Sequence, residues 1–360
     1  MQSMTRFGID FERYEDNPLS TIVSCDPWDA RGDPLRAIPG ATHPSVLYFS
    51  QGMDGYPFWM VFTPPWKLDS LPAGAPQPPL AHMGPDWYWE RCTLVRSKDG
   101  IVWEKTDDYA NPLIAPGEAH AWDGGWHCDP DVVYTPDRGP GGRPRWFLYY
   151  CGCNPKGYGT SIGLAVSDDG LHYEKVGDNG PLKGHIFQGD GWKTRCPAVV
   201  YDPGSGVFHM WHNWRSFDIG YATSPDGIHW TPYNPEAPGE WGHVVLRPTP
   251  GSFDACGVTH QDVIWHDGLY WMYYYALAVP RYVWLQIGLA TSPDGRQWTK
   301  HPEPVLTPGA HPWEAGSLYR PSPVIVDGQM YLYYCGATSF SAYPLPGDLA
   351  IGVAFSRQTD

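Results

Sequence analysis

One short segment recurs along this chain at nearly regular spacing, and it narrows the fold more than any other feature. It reads SKDGIVW at Ser97–Trp103, SDDGLHY at Ser167–Tyr173, SPDGIHW at Ser224–Trp230 and SPDGRQW at Ser292–Trp298, at intervals of 57–70 residues. Self-similarity at such a period marks a repeat architecture rather than one irregular domain. Each copy follows a strand-like run, CTLVRS, IGLAVS, IGYATS or IGLATS, and a fifth such run, IGVAFS, lies at Ile351–Ser356. Upstream of these come apolar aromatic strands: FWMVFTP, RWFLYYCG, FHMWHNW, YWMYYYA and MYLYYCG. Further upstream are openings at His43 (HPSVLYF), Asp129 (DPDVVYT), Cys196 (CPAVVYD), His260 (HQDVIWH) and Arg320 (RPSPVIVD).

Each unit therefore predicts three strands, an Asp-Gly turn and a fourth strand near the Trp or Tyr. An Asp-Gly pair suits a tight hairpin, because Gly accepts positive φ and Asp bonds nearby backbone. The last unit runs out of chain before its fourth strand, but FGIDFERYEDNPL at the N-terminus aligns with DGIHWTPYNPEAP, setting Gly8 on Gly227 and Phe11 on Trp230. Radially repeated four-stranded units, the last completed by the N-terminal strand, describe an all-β, five-bladed β-propeller without long open edges. The expected organisation is one domain over residues 1–360, with blades at about 41–115, 119–183, 190–247, 254–307, and 314–358 plus 5–19. A pair of β-sandwich domains would need a central linker, and the sequence shows none. The longest irregular segment, the Pro-rich Thr63–Trp87, is expected to wall one end of the propeller.

Composition agrees. The 41 Gly and 39 Pro are spread throughout, favouring short strands and turns, and 15% aromatic content is too high for disorder. A net charge of −15 argues against a nucleic-acid partner, which selects a basic face. No apolar run reaches the ~18–20 residues needed to span a bilayer, and the first residues lack the apolar core of a signal peptide. Eight cysteines without paired spacing read as mostly buried thiols. The expectation is a cytoplasmic protein with no membrane partner.

The repeats also sort the acids. Asp99, Asp169, Asp226 and Asp294 recur in every turn, so their role is structural. Asp123, Asp190, Asp254 and Glu314 each precede an opening by six residues and are expected to fix loops. Non-recurrent residues are more informative. Where blade 2 carries Asp129, the others carry His43, Cys196, His260 and, in blade 5, Pro321 with Arg320 beside it. The first strand of a propeller blade is innermost, so these positions should ring one mouth of the central channel. Asp131 aligns with Ser45, Ala198, Asp262 and Pro323, one residue deeper; strand neighbours face opposite sides, so Asp129 and Asp131 cannot share an outlook.

The segments IGYATSPDGIHW, IGLATSPDGRQW and YWMYYYA, with NPL after fourth strands at Asn17 and Asn111, resemble the five-bladed propeller glycoside hydrolases, the superfamily around families 32, 43, 68, 117 and 130. The resemblance covers nearly the whole chain. It implies a sugar-processing site at the propeller axis, with an acid on the first strand of blade 1, an Asp in blade 2 and a Glu in blade 3. Asp129, in CDP, matches the blade 2 position. Blade 1 departs with His43, and blade 3 with Arg195 and Cys196. A glycosidase needs two carboxyl groups, ~5–5.5 Å apart for retention and ~6.5–9.5 Å for inversion.

Candidate partners for Asp129 are Asp262 and Glu90, the latter expected to open the third strand of blade 1. His43 or His260 can replace a missing carboxyl as general acid or base. Trp59, Trp126 and Trp214 offer flat faces for sugar rings, with His127, Arg195 and Arg320 as further substrate contacts. The leading expectation is thus a glycosidase without a cofactor, acting on a small-molecule or oligosaccharide substrate. Alternatives are a cyclase, lyase or isomerase working in the same cup, and a non-catalytic sugar-binding propeller. A metal set of His43, Asp129, Cys196 and His260 suits zinc chemically but lacks short-spaced ligand pairs.

Overall fold

The computed structural model describes residues 7–23, 40–66, 89–115, 121–125, 127–137, 142, 145–153, 160–177, 184–187, 194–214, 217–233, 243–278, 286–338 and 349–357. They form a five-bladed β-propeller of antiparallel sheets. The innermost strands are Thr42–Met53, His127–Tyr134, Thr194–Asp202, Gly257–His266 and Ser317–Val326. Each packs against the next and the last against the first, closing a ring about the axis. Among the described residues no helix is long and apolar enough to cross a membrane.

Closure follows the sequence expectation. The strand Phe11–Arg13 pairs with Leu349–Ser356 in the register Phe11↔Ser356 and Arg13↔Ala354, completing blade 5. Gly8 takes φ 68°, as Gly100, Gly170, Gly227 and Gly295 take 71–79° in the four repeated turns. Those turns are longer than a two-residue hairpin, because the Ser and Asp side chains organise them. In the first, Ser97 Oγ accepts from Gly100 N at 2.9 Å, while Asp99 Oδ1 accepts from Ile101 N and Val102 N, both at 2.8 Å. The same pattern recurs around Asp169, Asp226 and Asp294. Both NPL asparagines act alike: Asn17 and Asn111 bond both backbone groups of Val353 and Leu94 respectively, at 2.9–3.0 Å.

The acids ahead of the openings tie their blades together. Asp123 accepts from Tyr150 (3.0 Å) and Lys175, Asp254 from Tyr274 (3.1 Å) and Lys300, and Glu314 from Tyr334 (2.8 Å) with Arg13 Nε 2.6 Å away. Every trio combines an entry acid, a second-strand tyrosine and a fourth-strand cation. Arg13 comes from the N-terminal strand, so blade 5 is closed by its side chain as well as its backbone. Asp190 lies outside the described residues, as does most of the Pro-rich segment from residue 67 to 88.

Aromatic cores fill the spaces between blades. Trp59, Leu94, Trp146, Leu148 and Tyr150 form one of them between blades 1 and 2. Burying apolar side chains of this size stabilises by about 1.5–3 kcal/mol each, which holds adjacent blades together around the axis.

Candidate functional site

All five inner strands carry a bulge at the same point. Strand register slips between Thr42 and Ser45, Cys128 and Asp131, Arg195 and Ala198, Thr259 and Asp262, and Tyr319 and Ser322. The first residue of every bulge has positive φ: His43 52°, Asp129 48°, Cys196 52°, His260 43° and Arg320 48°. Non-glycine residues there cost of order 1–3 kcal/mol each and persist only where the surroundings impose them. Pro follows four of the five, which disfavours the right-handed helical region for the residue before it. The blade 5 member of the ring is Arg320, not Pro321, and Ser322 rather than Pro323 stands level with Asp131. The two prolines of RPSP made the sequence alignment slip by one residue.

Three ring residues converge. His43 Nε2 lies 3.4 Å and His260 Nε2 3.6 Å from the same oxygen, Asp129 Oδ1. The imidazoles are nearly parallel, with centroids 6.0 Å apart and planes 7° off, and the Tyr319 ring stands edge-on to both. Asp129 is 3% exposed, and its Oδ1 is buried with no hydrogen-bond donor. Its other oxygen, Oδ2, accepts from the Cys128 thiol at 3.4 Å.

Threonine hydroxyls orient the imidazoles. Thr259 Oγ1 donates to Asn213 Oδ1 at 2.6 Å, leaving its lone pair to face His260 Nδ1 at 3.2 Å. The Nδ1–H therefore points at Thr259, and the lone pair of Nε2 points at Asp129. The backbone N–H of His260 also donates to Asn213 Oδ1, at 3.1 Å. At His43, Thr63 Oγ1 takes the equivalent place, 2.7 Å from Nδ1.

Burial holds both imidazoles uncharged, lowering His43 to about 4 and His260 to about 3 despite Asp129. Burial alone would raise Asp129, but His43, His260, Arg320 and Arg195 together bring it well below the usual carboxylate range. At neutral pH the imidazoles carry no charge, so the cations that keep Asp129 ionised there are the two arginines. Glu90 sits on the far side of His43, its Oε2 3.8 Å from Nδ1. Burial, then the Asp129 charge, pushes Glu90 up to about 8, although 29% of its side chain stays accessible. It belongs to a separate two-residue strand, Trp89–Glu90, paired with Pro65–Trp66, and does not open the third strand as the sequence suggested.

Other expected site residues lie elsewhere. Asp262 faces away from Asp129: its Oδ1 accepts from Val263 N at 2.7 Å, and its charge acts on Asp131. Burial raises this deeper pair, Asp131 to about 8 and Asp262 to about 6. Trp59 is no sugar platform, because it is buried between blades against Trp146 and the Arg96 guanidinium. His127 is no rim contact either; it is fully buried, with Nε2 3.0 Å from Asp123 O and its ring against Tyr150. Arg320 is 1% exposed and donates to two backbone carbonyls, away from any rim. Arg195 is half-buried and acts on Asp129 through its charge. Trp126 and the Trp214 side chain lie outside the described residues. Cys196 does not join the trio, and burial holds its thiol protonated.

Sequence reasoning missed Thr63, Thr259, Asn213 and Tyr319. A signal existed: Thr63 ends and Asn213 nearly ends a second strand, each across the ladder from the residue ahead of a bulge.

The fold is that of the five-bladed propellers found among carbohydrate-processing enzymes. No family model matches the chain. It aligns over 346 residues, at 23% identity, with the A type blood N-acetyl-alpha-D-galactosamine deacetylase of Flavonifractor plautii, covering 84% of this chain but 40% of that protein. The crystal structure of an N-acetylgalactosamine deacetylase from F. plautii in complex with blood group B trisaccharide superposes with a TM-score of 0.63 at 19% identity, over 98% of this chain and 95% of that one. A glycosyl hydrolase from Bacteroides ovatus gives 0.67 at 18% identity, over 97% and 95%. The beta-1,2-mannobiose phosphorylase of Listeria innocua gives 0.67 at 16%, over 96% of both chains.

Proposed function

We propose that this chain is a carbohydrate-active hydrolase that removes an acyl group from an amino sugar, using a divalent cation held by His43, Asp129 and His260. The carrying observation is Asp129 Oδ1, buried, ionised and without a donor, faced by two imidazole Nε2 atoms. Ligand bonds of ~2.0–2.1 Å in a tetrahedron set donors about 3.3–3.4 Å apart, and His43 and His260 lie 3.4 and 3.6 Å from the carboxylate oxygen. Three protein ligands of mixed N and O type leave a coordination position open, as catalytic sites do. Hydrogen bonds from Nδ1 to threonine hydroxyls are the supporting contacts such ligands usually have. This reading replaces the sequence expectation of a cofactor-free site.

When bound, the cation polarises a carbonyl and lowers the pKa of water. The chain supplies the rest. Glu90, with its Oε2 3.8 Å from His43 Nδ1, is the carboxyl placed beside the three ligands to pass a proton to a departing amine nitrogen. Arg195 and Arg320 keep Asp129 ionised, while Tyr319 and the buried bulges hold the imidazoles in place. The sequence relative named for acting on N-acetyl-alpha-D-galactosamine supports an N-acetyl sugar as the substrate class.

A second reading, glycoside hydrolysis, is favoured by the same two carboxyls. Glu90 is raised to about 8 while Asp129 is held low, the split that places an acid and an ionised carboxylate in one site. Aryl glycosides of N-acetylgalactosamine and N-acetylglucosamine separate the two. Deacylation releases acetate, stops when the cation is chelated, and resumes when it is restored. Release of the phenol without acetate, indifferent to chelation, would establish the glycosidase instead.

A further inference from the structure

We infer that Arg320 is a positioning residue for the cation site, its guanidinium locking together the two bulges that carry Asp129 and His260. The inference rests on reading His43, Asp129 and His260 as that site. Arg320 Nη2 donates to Pro130 O at 2.7 Å and Nη1 to Gln261 O at 2.9 Å. Pro130 and Gln261 are the residues directly after Asp129 and His260. A bulge takes its extra residue out of the ladder, so these carbonyls need an acceptor's partner from elsewhere. A buried carbonyl left without one costs about 1–3 kcal/mol. One planar fork with several fixed donors serves both carbonyls at once, which an ammonium group on a flexible stem does poorly.

The connection continues through Gln261, which stands where the other four blades have Pro. Its Nε2 donates to Cys196 O at 2.7 Å and Trp211 O at 2.9 Å. Blades 2, 5, 4 and 3 are thus tied across the axis by two side chains. The blade 5 ring residue, which contributes no cation ligand, sets the spacing between two that do.

The lysine variant separates this role from simple electrostatics. Acting only by charge, Arg320 would repel the cation directly and hold Asp129 ionised for it, and lysine, which keeps the charge, would restore wild-type binding. If it positions the bulges, removal loosens the ligand spacing and weakens binding. Zinc titration calorimetry on the full chain is the test, with thermal unfolding to establish folding. Arg320→Met is expected to bind zinc about ten-fold or more weakly, the size of supporting-contact losses at metal sites. Arg320→Lys, which keeps the charge but not the fork, should stay within a few-fold of Arg320→Met. Should Arg320→Met not fold, the same ten-fold loss is expected of Arg320→Lys against the wild type. Equal or tighter binding in a folded variant overturns the inference, as does full recovery by lysine.

A wild type that takes up no zinc would remove the cation reading without deciding the role of Arg320. The Cε1–Hε1 resonances of His43 and His260 then decide it. Loosened bulges shift and broaden both in Arg320→Lys, and unchanged resonances overturn the inference.

Discussion

Asp254→Ala should destabilise the propeller while sparing the axis. Asp254 is fully buried and accepts from Tyr274 OH at 3.1 Å, Thr249 N at 3.1 Å and the Lys300 ammonium. Removing one partner of a buried ion pair costs about 3–5 kcal/mol. Lys300 retains two acceptors, Arg247 O and Thr249 Oγ1, and is 17% exposed, which moves that figure to the lower end. The stranded Tyr274 hydroxyl and Thr249 N–H add about 1–3 kcal/mol each where no water reaches them, and contributions within one network do not sum. The expected loss is therefore about 3–4 kcal/mol, measured by urea unfolding followed through tryptophan fluorescence. Zinc affinity of the folded variant should match the wild type, because Asp254 touches none of the three ligands. A loss below about 1 kcal/mol, or a fall in affinity, would refute the assignment of the recurrent acids to loop fixing.

Other perturbations test other links. Burial raises Asp226, but bonds from the His229 backbone and ring, Ile228 N and Ser224 outweigh it and lower its pKa to about 2. Its folded value lies below the unfolded value of about 3.9, so its stabilisation is complete above pH ~4 and fades as pH falls toward 2. Acid unfolding should steepen in that window, and Asp226→Asn should flatten it; an unchanged profile would remove the turn aspartates as its cause. Gly100→Ala forces a side chain onto φ 79° and sets its Cβ 2.6 Å from the Tyr333 hydroxyl, so stability should drop by about 2–3 kcal/mol. Trp59→Ala should cost about 3–5 kcal/mol in unfolding experiments yet leave sugar affinity unchanged; lost sugar binding at full stability would restore it as a platform. Thr259→Val removes the acceptor at His260 Nδ1 and should weaken zinc binding by about 10–100-fold in calorimetry.

The sequence was most legible where backbone demands repeat. Five openings, four Asp-Gly turns and an N-terminal match gave the blade number and the closure, because every copy must solve the same hydrogen-bonding problem. The same comparison isolated Asp129, His43 and His260 as ring residues that do not repeat. It failed where one residue of register matters: RPSP offered two prolines, and only the bulge at Arg320 shows which belongs to the ring. Aromatic identity misled as well. Trp59 and His127 carry chemistry suited to a pocket, yet a two-residue strand period cannot tell a face turned to the axis from one turned to the next blade.

By itself the sequence determined an all-β ring of five blades, which acids serve the turns, and which positions differ around the mouth. Those properties follow from local hydrogen bonding and strand alternation, which short segments encode. Only the tertiary structure decided that residues 43, 129 and 260, far apart along the chain, point at one another, and that Asp262 and Arg320 do not join them there. The physical reason is the bulge. It turns each ring side chain by a local departure from the ladder, and its outcome depends on the partners arriving from the other blades.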